Sequence, residues 1–406
     1  MKVLQVNNVY DRLSTGKIVA DLHHEYLMKH IDSYVCYARG PEVDLDRVFK
    51  FNWEFYAHLN KVRAYLTGIR YGGNILSTLL LIHKIKIIKP DVVHLHCIND
   101  DSVNIYIILK YLKKKRIKTV VTLHAEFFYT ANCGNAFECD RWKTGCGGCP
   151  QIRRMCTLFD NTRRAWKKMS EAFIGFLSNN ILIISVSPWL MNRAQQSPFL
   201  YKYMHQSILN GIDTNVFYRR SDTNIVRKNL GLNSHPVVMY VTSHFPSYAK
   251  GGNYILELAK LMPQINFLVL GEKTDIKDLP SNIILLGRIY EREKMAVYYS
   301  LSDITIIVSK AETFSMPVAE SLCCGTPVVG FKAGGPETIC IHDYCRLVDY
   351  GDIESLKKEI ISLLRHTFDR NMICEQAKRK YSKETMAEEY ICVYNYLMNK
   401  NEDNLI

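Results

Sequence analysis

Short apolar runs alternate with segments of helical periodicity along nearly the whole chain. KVLQV reads as a first strand, followed by a polar turn, NNVYDRLST, with Gly16, a helix over KIVADLHHEYLMKH and a second strand, SYVCYAR. The alternation continues through helix ILSTLLLIHKIKII, strand DVVHLHC, helix VNIYIILKYLKKK and strand KTVVTLH. After a cysteine-rich stretch come the helix TRRAWKKMSEAFIGFL and the strand ILIISVS. NGIDTNVF, residues 210–217, breaks the rhythm with Asn-Gly and marks a boundary. Six further strand-like runs follow, VVMYVTS, NFLVLG, IILLG, ITIIVS, PVVGF and YCRLVD, with helical NYILELAKLM, REKMAVYYSLS and SMPVAESLCC among them. Strand–helix alternation in two halves predicts an α/β protein of two doubly wound, Rossmann-like domains facing each other across a cleft. We expect an N-terminal domain over 1–208 with an insertion near 130–156, and a C-terminal domain over 209–385. An amphipathic helix and a frayed tail over 386–406 complete the chain, the helix packing back toward the first domain.

A chain of 406 residues exceeds one ordinary core, which agrees with two domains. The formal net charge of +12 asks for an anionic partner, and nucleic acid, a membrane surface or a phosphate-rich substrate all fit it. Its basic clusters, HKIKIIK, KKKRIK and RRAWKK, all fall in the first half, beside apolar residues. That placement suggests an anionic inner membrane leaflet; solvated helix faces explain it equally well. Nucleic acid fits least, because no aromatic–basic interleaving accompanies the charge. MKVLQVNNVY lacks the apolar stretch of a signal peptide, and the most apolar run, NILSTLLLIHKIKIIKP, carries a His and three Lys. A protein of the cytoplasm or of the inner face of the cell membrane, held there peripherally, is the expectation. Thirteen cysteines then read mostly as small buried hydrophobes, as at Cys36, Cys97 and Cys323, rather than as a disulfide framework.

Two carboxylates stand out in SKAETFSMPVAESLCCGTPVV, because a buried carboxylate is costly unless paired. DITIIVSK reads as a strand, Ser315 as the N-cap of a helix with Pro317 in its first turn, and Gly325 as its end. Glu312 then leaves the strand in a loop and Glu320 lies one turn into the helix. Backbone N–H groups of Phe314, Ser315 and Met316 gather at the helix N-terminus, a ready anion site. A phosphate cradle between two carboxylates suits a nucleotide sugar, with a diphosphate in its middle and hydroxyls at both ends. On spacing alone, a solvated Glu312 and a dipole-favouring Glu320 fit as well.

ETFSMPVAE, followed by CGTPVV and AGGPE, resembles the signature of retaining glycosyltransferases of the GT-B fold, the large group 1 family with a Glu-x7-Glu motif. The resemblance runs in order along nearly the whole chain, through LSTGKIVADL, PDVVHLH, VVTLHAEF, LNGIDTNVF and YAKGG. It implies that Glu312 holds hydroxyls of the donor sugar and Glu320 those of the ribose. Lys250 would neutralise the departing diphosphate, with Phe314 and Ser315 offering backbone N–H groups. Gly16 would let the first loop approach the same phosphates, His124 would contact the sugar near the reacting carbon, and backbone near Arg288 and Ile289 would read the base. No cofactor is then needed for catalysis, since Lys, helix dipole and N–H groups stabilise the leaving group. The activity implied is transfer of a sugar from a nucleoside-diphosphate sugar to a glycan or lipid-linked acceptor in bacterial surface polysaccharide synthesis. A nucleotide-sugar epimerase on the same plan and a non-catalytic scaffold are the alternatives. The chain departs from the family at one point: the Arg usual shortly before the Lys is missing between Val241 and Lys250, leaving His244 or Arg288 as substitutes.

His94 and His96 flank Leu95 in a strand and point to one face, where they line or buttress the cleft rather than hold a metal. His23 and His24 read as helix-surface residues. CGNAFECDRWKTGCGGCP places Cys133, Cys139, Cys146 and Cys149 among turn-forming glycines, compatible with a structural four-thiolate zinc site, a redox-labile loop or packed free thiols. A similar insertion in a bacterial polysaccharide-assembly subset of the family implies a role in acceptor choice.

Overall fold

The computed structural model describes all residues except 100–101, 131, 154–156, 222, 233, 248–249, 273–275, 277 and 400–406. Most of the tail after the last helix, and parts of the YAKGG and cysteine-rich segments, lie outside the described residues.

The chain divides into two compact units, one of Met1–Leu209 with Met386–Ile406, the other of Asn210–Thr385. The first holds strands β1 (Lys2–Val9), β2 (Asp32–Arg39), β3 (Val48–Lys50), β4 (Val92–Leu95), β5 (Lys118–Leu123), β6 (Ile181–Ser185) and β7 (Met204–Ser207). They form one sheet in the order β3-β2-β1-β4-β5-β6-β7, every pair parallel. Its helices are α1 (Leu13–Met28), α2 (Glu54–Thr67), α3 (Ile75–Ile88), α4 (Ile105–Lys114), α5 (Thr162–Phe173) and α6 (Pro188–Ala194). Central strands β4 and β6 are buried along their whole length, as the continuous apolar runs require of a parallel sheet covered on both faces.

The second unit contains α7 (Asn224–Asn229), β8 (Val237–His244), α8 (Gly252–Leu261), β9 (Asn266–Glu272), β10 (Ile283–Gly287), α9 (Arg292–Leu301) and β11 (Ile304–Ile307). It continues with α10 (Met316–Cys323), β12 (Val328–Phe331), α11 (Gly335–Ile339), β13 (Cys345–Val348), α12 (Ile353–Arg365) and α13 (Arg370–Tyr381). Its sheet runs β10-β9-β8-β11-β12-β13, again parallel. Val238, Tyr240, Phe267, Val269, Ile304, Ile306 and Val329 form one core with Ile255 and Leu258 of α8 and Leu356 and Ile360 of α12. Each such side chain, fully buried, contributes about 1.5–3 kcal/mol. Two parallel α/β units with these strand orders are the GT-B fold expected from the sequence.

A last helix, α14 (Lys383–Asn399), leaves the second unit, and from Met386 onward it belongs to the first. Tyr394 there is fully buried, its hydroxyl 2.9 Å from the Tyr26 hydroxyl of α1, and Tyr390 Oη stands 2.9 Å from Thr122 Oγ1 of β5. No helix among the described residues is long and apolar enough to cross a membrane.

Several local expectations need correction. β1 extends to Val9 and α1 begins at Leu13, so Gly16 sits inside the first turn of the helix rather than in a loop before it. The reason is close packing: a Cβ on Gly16 would stand 2.9 Å from Val9 Cγ2 and 3.1 Å from Val9 O. His23 is buried, with Nδ1 2.8 Å from Ser33 Oγ, while His24 is exposed. Strands β3 and β7 and helix α2 were not expected from the apolar pattern.

Candidate active site

Strand order reverses between β8 and β11, where each strand feeds a helix to opposite sides of the sheet and a crevice opens at their carboxyl ends. Lys250 follows β8 and Glu312 follows β11, so topology alone brings the two loops side by side. Gly251, at φ 77°, makes the approach possible: a Cβ there would lie 2.0 Å from Val308 O, which no side chain tolerates. Tyr240 Oη, from within β8, donates to Lys250 O at 2.5 Å and holds the loop from below. Lys250 Nζ is thereby set 2.7 Å from Glu312 Oε1.

The Glu312 loop is itself fixed from β12. Glu312 N–H donates to Ala333 O, and Glu312 O accepts from Gly335 N–H, each at 2.8 Å. A Cβ on Gly335 would stand 2.5 Å from Thr313 O and 2.7 Å from Phe314 N, so the second glycine of AGGPE lets the two loops touch. Phe314 and Ser315 are buried where the loop enters α10. Ser315 is the N-cap as expected, but in the left-handed region at φ 82° and without a capping hydrogen bond from its side chain. Its backbone, not its hydroxyl, shapes the turn.

Glu320 lies half-buried in α10, and its Oε2 accepts from Tyr299 Oη of α9 at 3.0 Å. Burial pushes the Tyr299 phenol well up, and the Glu320 charge pushes it further, so Tyr299 stays a protonated donor. That partner was not evident from the sequence. Arg288 and Ile289 follow β10; Arg288 is exposed with its guanidinium 5.9 Å from the Tyr290 ring. His244 Nε2 stands 2.9 Å from Glu272 Oε2. Among the described residues, neither Arg288 nor His244 is joined to the Lys250–Glu312 pair.

In the first unit, His94, His96 and His124 lie at the carboxyl ends of β4 and β5, beside the reversal between β1 and β4. His94 Nδ1 is 2.6 Å from Tyr394 Oη and its Nε2 2.7 Å from Thr122 Oγ1. His96 Nε2 is 3.2 Å from Gln5 Oε1, and its Nδ1 3.2 Å from His124 Nε2. With both rings neutral, His96 donates to Gln5 and accepts from His124, a chain that sets the tautomer of His124. Burial keeps it neutral: His124 is lowered to about 4, and His94 and His96 fall well below the ordinary value. His94 and His96 thus buttress the strand ends, and no group of three or more His, Cys, Asp or Glu among the described residues stands at metal-holding spacing.

These shifts predict a pH dependence. The folded state keeps His124 neutral, whereas the unfolded chain takes up a proton as the pH falls below about 6.5. Stability conferred by neutral His124 is therefore complete above that pH and is lost as the pH falls toward 4, by up to about 3 kcal/mol. His23, also lowered to about 4 chiefly by burial, adds in the same direction. Melting curves between pH 7 and 4 should show this fall, with a shallower slope in His124→Gln; an unchanged slope would remove His124 from the account.

Glu126, two residues after His124, is 1% exposed and is the centre of a buried hydrogen-bonded charge network. Its Oε1 accepts from Arg193 Nε at 2.7 Å and from Tyr129 Oη at 2.6 Å, and its Oε2 accepts from Ala136 N–H. The network ties the cysteine-rich insertion to β5 and α6. Within the insertion, Cys133, Cys139, Cys146 and Cys149 line one cavity of about 20 Å³ with Trp142 and Thr130, all four as free thiols. Burial, and then the other three thiols, push Cys133 up to about 12. They share that cavity without standing at metal-ligand spacing.

The model of the family described as glycosyl transferases group 1 matches residues 222–380. WcaC of Escherichia coli, a putative colanic acid biosynthesis glycosyl transferase, is 21% identical over 98% of this chain and 100% of that one. N-acetyl-alpha-D-glucosaminyl L-malate synthase of Bacillus anthracis is 23% identical, a likeness spanning 50% of this chain and 56% of that relative. Among solved structures, sucrose-phosphate synthase of Thermosynechococcus elongatus superposes with a TM-score of 0.70 at 15% identity, over 99% of this chain and 100% of that one. Anabaena HepE, solved with UDP-glucose, does so with a TM-score of 0.68 at 16% identity, over 97% and 99%.

Proposed function

We propose that the chain, whose residues 222–380 match the glycosyl transferases group 1 family and which is similar to WcaC over nearly its whole length, moves a sugar from a nucleoside-diphosphate sugar to a glycan or lipid-linked acceptor, with retention at the anomeric carbon. The observation that carries the reading is the 2.7 Å pair of Lys250 and Glu312 at the strand reversal, beside the N-terminus of α10. A diphosphate arriving there competes with Glu312 for the ammonium. Lys250 turns to the phosphates, with the Phe314 and Ser315 backbone as further donors, and the released carboxylate accepts from sugar hydroxyls. Glu320, steadied by Tyr299, accepts from the ribose hydroxyls. His124, held neutral, hydrogen-bonds the transferred sugar. As the glycosidic C–O bond to the diphosphate lengthens, positive charge grows on the sugar and negative charge on the leaving oxygen, which Lys250 stabilises; the acceptor hydroxyl forms the new C–O bond on the same face, and its proton passes to that leaving phosphate oxygen. HepE was solved with UDP-glucose, which supports a donor of that class here.

Melting-temperature shifts with UDP-, GDP-, ADP- and CDP-sugars test the donor site, since a ligand bound only by the folded state raises stability. One nucleotide should give a shift that Glu320→Ala removes. No shift with any of them would sink the reading. Conversion of the donor without added acceptor would identify an epimerase instead.

The description of WcaC as a putative colanic acid biosynthesis glycosyl transferase supports an acceptor in surface polysaccharide synthesis. The four thiols of the insertion are proposed to close on one structural zinc, for which a cavity of about 20 Å³ leaves room for a single ion. Elemental analysis of the purified chain should find one zinc, released as the thiols are titrated with a mercurial. Four freely reactive thiols without metal would exclude the centre.

A further inference from the structure

The first unit contains a cavity of about 540 Å³ between α2, α4 and α5, and its wall is unusually charged. Arg63, Lys110, Arg164 and Lys168 all line it, with no acidic residue among the lining side chains. None of the four is ion-paired among the described residues. Four cations without an ion-pair partner around one cavity repel each other, and an anion between them would relieve that repulsion.

The cavity floor adds an independent sign. Tyr106 is 5% exposed, yet its hydroxyl has no hydrogen-bond partner, and neither has the buried Nη1 of Arg63. The two groups meet at Gly72, where a Cβ would lie 3.3 Å from Arg63 Nη2 and 3.4 Å from Tyr106 Cε2. Burial raises the Tyr106 phenol above its ordinary range, which the Arg63 charge partly offsets, so the hydroxyl keeps its proton and remains a donor. Leaving such donors buried and unmet costs about 1–3 kcal/mol each. Two unmet donors at the bottom of a cationic cavity describe a site awaiting acceptor oxygens.

We propose that this cavity binds a phosphate or diphosphate group, with Arg63 and Tyr106 donating to it from below and Lys110, Arg164 and Lys168 around it. The volume exceeds what a bare phosphate fills, and helix α2, which lends Arg63 and Thr67 to the wall, is apolar on its exposed face. Val62, Tyr65 and Leu66 of α2 are exposed, as are Leu158 and Phe159. Leu158 N–H donates to Tyr65 O at 2.8 Å, and Asn161 Nδ2 to Thr67 O at 2.8 Å, which hold that loop along the end of α2. The ligand is therefore an organic phosphate whose remainder is partly apolar: the headgroup of a lipid in a bilayer, or a free phosphorylated molecule. The inference stands on the first unit alone and does not depend on the proposed transfer reaction.

The test uses the full chain carrying Lys250→Ala, which weakens the donor site so that pyrophosphate reports on this cavity. Pyrophosphate should raise the melting temperature of that protein, less so at high salt. Adding Arg164→Gln with Lys168→Gln, both on the surface of α5, should weaken the apparent affinity at least tenfold. A second arm measures co-sedimentation with phosphatidylcholine vesicles with and without phosphatidic acid. Cavity-dependent binding of both pyrophosphate and phosphatidic acid vesicles would identify a lipid-borne phosphate. Cavity-dependent binding of pyrophosphate alone would identify a free phosphorylated ligand. A pyrophosphate response that the α5 substitutions leave unchanged would overturn the proposal, as would no response at all.

Discussion

Glu312→Ala should lower the rate of sugar transfer about 10³-fold while the protein melts within a few degrees of the wild type. The size follows from what the carboxylate is proposed to do: one positioned electrostatic partner of a developing charge accounts for about 10²–10³ in kcat. The small stability effect follows from exposure. Lys250 and Glu312 are 39% and 20% exposed, so their ion pair is screened by water and contributes only about 0–1 kcal/mol. Lys250→Ala should behave differently, raising KM for the donor as well as lowering kcat, because the ammonium is assigned to a diphosphate present in both the bound donor and the transition state. Steady-state kinetics with the donor found by melting shifts would separate the two. Near-normal turnover in Glu312→Ala would remove that residue from the mechanism; a collapse in melting temperature would make it a structural residue.

The two residues are legible in the sequence for different reasons, and their contact is not. Glu312 and Glu320 stand out because charged residues interrupt an apolar strand–helix unit. Lys250 stands out only through Gly251, and the reason for that glycine is Val308 O, 57 positions later along the chain. The strand order that makes β8 and β11 neighbours is a property of the sheet and leaves no mark in the local pattern. The same separation hid Tyr299 from Glu320, and Tyr390 and Tyr394 from Thr122 and His94, 268 and 300 positions away.

Among the elements, the six strands of the second unit were readable as continuous apolar runs. Strands β3 and β7 are three and four residues long, and MHQS has no apolar alternation to find. Helix α2 was missed for a more informative reason. It buries only Ala57, Asn60 and Ala64 and exposes Phe55, Leu59, Val62, Tyr65 and Leu66, so its apolar stripe faces away from the core. A rule that assigns the apolar face to the interior inverts this helix. Arg63 and Thr67 of the same helix line the cationic cavity, and a ligand with an apolar remainder bound there would give the outward face a use.

Arg193→Ala should destabilise the first unit by about 3–5 kcal/mol, the second large effect expected of a single substitution. Glu126 is 1% exposed on its side chain and Arg193 18%, so removing the guanidinium leaves a carboxylate buried with only Tyr129 and the Ala136 N–H for partners. Arg193 also donates to Phe137 O at 3.4 Å and lies 5.5 Å from the Trp142 ring and 5.1 Å from Trp189. The end of β5, the cysteine-rich insertion that follows it and the distant helix α6 therefore depend on one pair. Charge can be separated from packing by adding Glu126→Gln to Arg193→Met. The amide oxygen accepts from the Ala136 N–H while its NH2 donates to a Tyr129 hydroxyl turned to accept, the thioether refills the space beside the tryptophans, and no buried charge remains, so the double variant should recover most of the loss. Denaturant unfolding followed by tryptophan fluorescence measures all three proteins. If Arg193→Ala costs less than about 1 kcal/mol, the pair behaves as an exposed one and the insertion is held by packing alone. If the double variant is as unstable as the single one, the guanidinium's contacts to Phe137 and the rings outweigh its charge. Reactivity of Cys133 toward a thiol reagent gives an internal control, since loosening the insertion should expose it in Arg193→Ala before the sheet unfolds.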